Sequence, residues 1–175
     1  MSGPESAAEL VHRLLRDRGE TLAVAESLTG GLLAATLVDV PGASLTVRGG
    51  LIVYATDLKA SLAGVSATLL AERGPVDGDV ASQLAEGAAR RCGADWGLAT
   101  TGVAGPEPQG GQQPGTVWVG VAGPAGSSAT LLALAGTRSE IRQATVEHAL
   151  SLFAGAVAAA APVPAGPESG ADEGC

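Results

Sequence analysis

A chain of 175 residues is long enough to bury a core as one domain of ordinary size. A formal charge of -8 at pH 7, with no basic run, excludes a nucleic-acid binder but leaves room for a small anionic substrate that needs only a local cluster of donors. Hydrophobic residues make up 46% and aromatic residues only 2%, so the core has to be closely packed Ala, Val and Leu. Cys92 and Cys175 make no disulfide framework. The N-terminal stretch has no charged region followed by an apolar one, and no apolar run reaches membrane-spanning length. A soluble cytoplasmic protein is therefore expected, with neither membrane nor nucleic acid as a partner.

Leu10, Val11, Leu14 and Leu15 share one face of a helix expected over residues 5–18, which Gly19 closes. Residues 21–25 read as a short buried strand, 26–30 as a strand-to-helix turn and 30–38 as a second helix. A Pro/Gly loop over 39–44 leads into a strand over 48–54 that delivers Tyr54, after which Asp57 is placed to cap a short helix carrying Lys59. The pattern next predicts a helix over 66–73 closed by Gly74 and Pro75, and another running from the cap Asp77 to Cys92. A third strand occupies 96–101. The stretch 102–114 is too rich in Gly, Pro and Gln for regular structure, and long loops inside compact domains are usually functional or mobile. Two apolar runs, 116–122 and 128–135, are joined through GPAG as an antiparallel hairpin. Thr137 with Glu140 forms a capping-box pattern that opens a last helix toward Ala160. Beyond it, Pro, Ala, Gly and acidic residues show no periodicity, which gives a single domain over 1–160 and a disordered tail over 161–175.

Strands alternating with helices, then a hairpin and a long helix, predict an α/β fold: a three-layer α/β/α sandwich around a mixed, mostly parallel sheet. Ligands of such sheets bind where strand ends meet helix starts. Three segments fall there: 26–31, 54–59 and 100–106.

Nine arginines accompany a single lysine, Lys59, five residues after the only tyrosine, Tyr54. A guanidinium cannot release its proton in a protein, whereas an amine can. The pair thus marks a place where a deprotonatable nitrogen is wanted beside a phenol, the alternative being chance in a lysine-poor composition. In AESLTGG, residues 25–31, Ser27 and Thr29 sit on a turn before a helix whose free N–H groups suit a phosphate or a developing oxyanion. Either hydroxyl could instead simply cap the helix. Gly30 and Gly31 weaken a helix start, and the usual reason to keep such glycines is close backbone approach to a ligand. The turn lacks the Gly-Lys-Ser/Thr ending of a P-loop and is not a dinucleotide-binding fingerprint.

Three stretches, AESLTGG at 25–31, GGLIVYATDLKASLAGV at 49–65 and TGVAGP at 101–106, resemble in kind and order the CinA C-terminal domain family, which includes the bacterial nicotinamide mononucleotide deamidases. The resemblance runs from Leu10 to Leu152. It implies a mixed-sheet α/β/α fold, hydrolysis of a nicotinamide carboxamide to a carboxylate with release of ammonia, and a catalytic set of Ser27, Tyr54 and Lys59. It also suggests a homo-oligomer, in the form of a dimer. Arg138 and Arg142, four apart on one helix face, resemble the family's Arg-containing segment and would clamp a 5'-phosphate, unless they are simply solvated. Expected substrate contacts are Glu26, Thr29, Gly30 and Gly31 on the first turn, Thr101, Gly102 and Gly105 on the third strand end, and the two arginines.

Amide hydrolysis needs a nucleophile, a base near neutral pKa and donors for the oxyanion. His12 and His148 lie in the terminal helices, away from all three turns, and read as surface or packing residues. The base is then Lys59, provided burial lowers its pKa, with Tyr54 orienting it or relaying a proton. Backbone N–H groups near Thr29, Gly30 and Gly31 would serve either the oxyanion or the phosphate. No His/Cys/Asp cluster stands at metal-ligand spacing, and no cofactor is called for. The sequence departs from the family pattern at Ala55 and Thr56 (Ser/Thr-Asn in the family), at Pro75 to Asp77 (Ala-Val-Ser), at Gln113 (Lys) and at Thr137 (Asp), and the family's TGIAGPGGG stretch becomes TGVAGPEPQGG over 101–111. A non-catalytic nucleotide-binding module and a protein-interaction domain are the competing readings.

Overall fold

The computed structural model describes residues 4–161; the remainder of the expected tail lies outside the described residues. Helix α1 (Ala7–Arg18) opens on a capping box between Ser6 and Glu9 and closes on Gly19 at φ 66°. That box sets the start at Ala7 rather than at residue 5. Strand β1 (Leu22–Glu26) is buried along its whole length and is followed by α2 (Leu32–Val38), a 3-10 turn (Ala43–Leu45) and the edge strand β2 (Val47–Ile52). Next come α3 (Thr56–Ser61), α4 (Ala67–Arg73), whose cap Ser66 accepts from the Leu69 N–H, and α5 (Gly78–Cys92), whose cap Asp77 accepts from the Asp79 and Val80 N–H groups. Strands β3 (Trp96–Gly102), β4 (Thr116–Gly123) and β5 (Gly126–Ala133) precede α6 (Arg138–Ala159), which carries the expected Thr137/Glu140 box. The β4–β5 hairpin turns on two residues only, which places β5 two residues earlier than its apolar run suggests.

The sheet order is β2-β1-β3-β4-β5, with β1 parallel to β2 and β3, and β4 antiparallel to both of its neighbours. Only β4 runs against the other strands, so the sheet is mixed and mostly parallel. Alternate residues of β1 enter opposite layers. Leu22 and Val24 join Leu15, Leu33, Leu98 and Phe153 beneath α1, α2 and α6, while Ala23 and Ala25 join Leu84, Ala85 and Ala99 beneath α3 to α5. Each large aliphatic side chain so buried contributes about 1.5–3 kcal/mol. Trp96 and Phe153 meet edge to face at 5.7 Å between ring centroids. On the other face, a Cβ at Gly97 or Gly120 would collide with the Ala85 or Ala81 carbonyl of α5, so bare backbone lets that helix lie directly on the sheet.

His12 is fully buried and joins α1 to its surroundings through the Thr46 hydroxyl and the Leu37 carbonyl, whereas His148 is exposed. Among the described residues no helix is long and apolar enough to cross a membrane. Parallel pairing brings the carboxyl ends of β1, β2 and β3 to one edge of the sheet, with Glu26 in register with Ile52 on one side and Thr100 on the other. The candidate site lies just beyond that edge.

Candidate active site

Pairing continues one residue past the strand ends and fixes the floor of the site. The Ser27 N–H donates to the Thr100 carbonyl at 3.0 Å, and the Val53 N–H donates to the Glu26 carbonyl at 2.8 Å. Lys59 reaches this floor from α3. Its Nζ lies 3.0 Å from Ser27 Oγ and donates to the Val53 carbonyl at 2.7 Å, while the side chain is only 1% exposed. Burial penalises the ammonium, and the amine pKa falls from an ordinary 10.5 to about 8. In its neutral form Lys59 keeps one N–H for Val53 and turns its lone pair to the Ser27 hydroxyl. The arrangement can take a proton from Ser27.

Of the two roles expected of Tyr54, the orienting one is not met: it makes no hydrogen bond to Lys59, although it lines the same cavity. Strand β2 stops at Ile52, and Tyr54 follows two residues later, 58% exposed, with its hydroxyl 2.9 Å from Arg138 Nη2. The Val53 carbonyl, not the phenol, orients Lys59. Arg138 also donates to the Gly105 carbonyl at 2.8 Å, tying the start of α6 to the loop after β3. These three residues edge a cavity of about 90 Å³ whose inner wall includes Ser27, Lys59 and Thr101. Thr101 donates its hydroxyl to the Pro75 carbonyl at 2.6 Å and so joins β3 to the α4–α5 connection.

The glycine turn is built differently from the expectation. Glu26, expected at the substrate, is fully buried and does not line the cavity; Oε2 accepts from the Gly31 and Leu33 N–H groups and Oε1 from the Ala34 N–H. This carboxyl group caps α2 from five residues before Gly31, because the cap residue itself has no side chain. Gly30 and Gly31 adopt φ 57° and 102°, a left-handed backbone that requires glycine, and neither lines the cavity. The same geometry starts α2 at Leu32 instead of at Gly30. Their N–H groups are committed too, Gly30 to the Ser27 carbonyl and Gly31 to Glu26. Thr29 is buried with Oγ1 against Thr100 Oγ1 at 2.8 Å. What the turn leaves over are the N–H groups of Leu28 and Thr29, which meet no acceptor among the described residues.

Arg142 is also displaced from its expected place. Nε donates to the Leu28 carbonyl at 2.9 Å and Nη2 to the Thr29 carbonyl at 2.8 Å, and the side chain does not line the cavity. Residues that line it without having been expected as contacts include Leu28, Thr56, Val76 and Glu107. Of the departures from the family pattern, Asp77 is the cap of α5 and lies outside the cavity, whereas Ala55 leaves α3 with no side-chain cap; Asp57 sits inside the first turn and not at the cap.

The geometry is accompanied by clear relationships. The model of the family described as "CinA C-terminal domain" matches residues 4–157. A CinA-like protein of Frankia casuarinae is 51% identical over 148 residues, covering 85% of this chain and 34% of that protein. One of Geobacter sulfurreducens is 44% identical over 149 residues, covering 85% and 36%. The chain thus spans about a third of the length of these curated relatives. Among solved structures, a CinA superfamily protein of Klebsiella pneumoniae superposes with TM-score 0.85 at 26% identity, over 90% of this chain and 99% of that one. The competence/damage inducible protein CihA of Agrobacterium tumefaciens gives TM-score 0.80 at 33% identity over 90% and 99%. With the sheet order, the three strand-end segments and these matches in agreement, the chain belongs to the CinA C-terminal domain family.

Proposed function

We propose that the chain is an amidohydrolase that converts nicotinamide mononucleotide to nicotinate mononucleotide and ammonia. The observation that carries this reading is the buried Lys59 amine, with pKa about 8, placed 3.0 Å from Ser27 Oγ. Neutral Lys59 takes the Ser27 proton as Oγ bonds to the carboxamide carbon, and the carbonyl oxygen becomes an oxyanion. Collapse breaks the C–N bond, and the proton on Lys59 leaves with the amine as ammonia. Water then attacks the ester while Lys59 takes its proton. The carbon–Oγ bond breaks, the proton on Lys59 returns to Ser27, and the acid product loses the second water proton to solvent and departs as the carboxylate.

The unpaired N–H of Leu28, a residue that lines the cavity, directly follows the nucleophile, where the turn of a serine hydrolase places an oxyanion donor. A cavity of about 90 Å³ is well below the roughly 300–1,000 Å³ of sites that enclose a whole ligand, so it admits the carboxamide end and leaves the ribose phosphate over the mouth. There Arg138 is the cation available to the phosphate, and the Glu107 carboxylate complements the positive pyridinium ring. Incubation of the protein with nicotinamide mononucleotide and assay of ammonia tests the reading. Release that disappears in Lys59→Arg with substrate binding kept is expected; a folded protein that binds the nucleotide and releases no ammonia would make it a binding module.

A further inference from the structure

The geometry points to Arg142 as a positioning residue: by holding the Leu28 and Thr29 carbonyls it fixes the peptides after Ser27 and so keeps the Leu28 N–H, whose residue lines the cavity, directed at the oxyanion formed on Ser27 attack. This rests on the reading of Ser27 as an acyl-transfer nucleophile. In a trans peptide the C=O and N–H point in opposite directions, so whatever grips the carbonyl aims the N–H. The Ser27 carbonyl is held by the Gly30 N–H at 3.1 Å, which leaves the Leu28 N–H free on the opposite side of that peptide. The Leu28 carbonyl is held by Arg142 Nε, which leaves the Thr29 N–H free in the same way. The second guanidinium contact, Nη2 to the Thr29 carbonyl, which also accepts from the Leu32 N–H at 3.1 Å, fixes the peptide whose Gly30 N–H grips the Ser27 carbonyl and so aims the Leu28 N–H, while Thr29 Oγ1 is anchored on Thr100. The guanidinium presents its donors in a rigid planar fork that spans two neighbouring carbonyls in one fixed geometry, which the rotating point charge of a lysine does not reproduce. Both contacts are made to backbone of this chain 113 and 114 residues away in sequence, which leaves Arg142 poorly placed to clamp a phosphate.

Arg142→Gln and Arg142→Lys in the full chain test the inference through three readouts: steady-state ammonia release from nicotinamide mononucleotide, the rate of Ser27 labelling by a fluorophosphonate, and thermal melting. In Arg142→Gln, kcat and the labelling rate should fall together by about 10²–10³-fold, the scale for loss of one oxyanion donor, with KM little changed. The pH midpoint should stay where Lys59 sets it, because Arg142 does not touch that amine. Arg142→Lys, which releases one of the two carbonyls, should melt like the parent and lose roughly tenfold; it decides the matter alone if the glutamine variant does not fold. A raised KM at unchanged kcat would make Arg142 a substrate contact and overturn the inference, as would unchanged labelling in a variant that melts normally. A parent protein that labels at Ser27 but leaves nicotinamide mononucleotide intact overturns the substrate assignment alone, and the labelling rates still decide the role of Arg142. A parent that does not label above the Lys59 midpoint overturns the inference.

Discussion

On the cavity floor Lys59 is 1% exposed and lies between Ser27 and the Val53 carbonyl, whereas at the rim Tyr54 is 58% exposed and pairs with Arg138 from the far end of the chain. The floor is assembled by sheet register: Ser27 and Val53 extend β1 and β2, and their backbone bonds leave their positions no freedom. The rim is assembled from a loop after β3, a residue beyond β2 and the first turn of α6. One sets protonation by burial; the other stays solvated and shapes what approaches. Substitutions should therefore act on turnover at the floor and on recognition at the rim.

The largest effect is expected from Ser27→Ala, on the order of 10⁶-fold in kcat, which is the scale for removal of a serine nucleophile. Near-normal turnover would instead assign the attack to a water activated by Lys59. Lys59→Arg keeps the positive charge but removes the base, and a loss of about 10²–10⁴-fold is expected. At the rim, Tyr54→Phe leaves the floor bonds intact and should lower kcat by less than about tenfold, the effect of a single exposed hydrogen bond. Equal losses from Tyr54→Phe and Lys59→Arg would break the distinction between floor and rim.

Stability sharpens the same comparison. Lys59 titrates near 8 when folded and near 10.5 when unfolded, so between these values the unfolded chain binds the extra proton and stability rises with pH. Below about 8 the full penalty is present, about 3 kcal/mol by the size of the shift. Lys59→Met removes it but orphans the Val53 carbonyl at about 1–3 kcal/mol. The inactive variant should accordingly match or exceed the parent in denaturant midpoint at pH 7 and fall below it above the unfolded-state value, a reversal that a mere packing role for Lys59 would not produce. Smaller again, Glu107→Gln should raise KM by a few-fold and leave kcat alone, since an exposed charge contributes about 1 kcal/mol or less. Ala55→Ser, which supplies the missing cap of α3 at extended backbone angles, should add about 1 kcal/mol in thermal or chemical denaturation.

Much of this was legible in the chain. The Thr137/Glu140 box, the Asp77 cap and the closing Gly19 and Gly74 are local signals, and the corresponding helices stand where they indicate. Lys59 stood out because an arginine-favouring sequence leaves one amine. Interactions that depend on backbone groups or on remote chain could not be read this way. Nothing in Val53 marks its carbonyl as the anchor of Lys59, and Glu26 escapes cap rules because it serves a helix whose own cap is glycine. A signal for Glu26 did exist: an acidic residue ending a wholly apolar strand has to find partners inside the fold. Arg138 and Arg142 share a helix face but diverge in target, one to the rim and one to the turn, which spacing alone does not separate.

The single lysine also makes the central claim directly measurable, since carbon-labelled lysine places one reporter in the whole chain. An NMR titration of the Lys59 side chain should show a midpoint near 8 in the folded protein. A midpoint near 10.5 would mean that the amine stays charged at working pH and cannot be the base for Ser27.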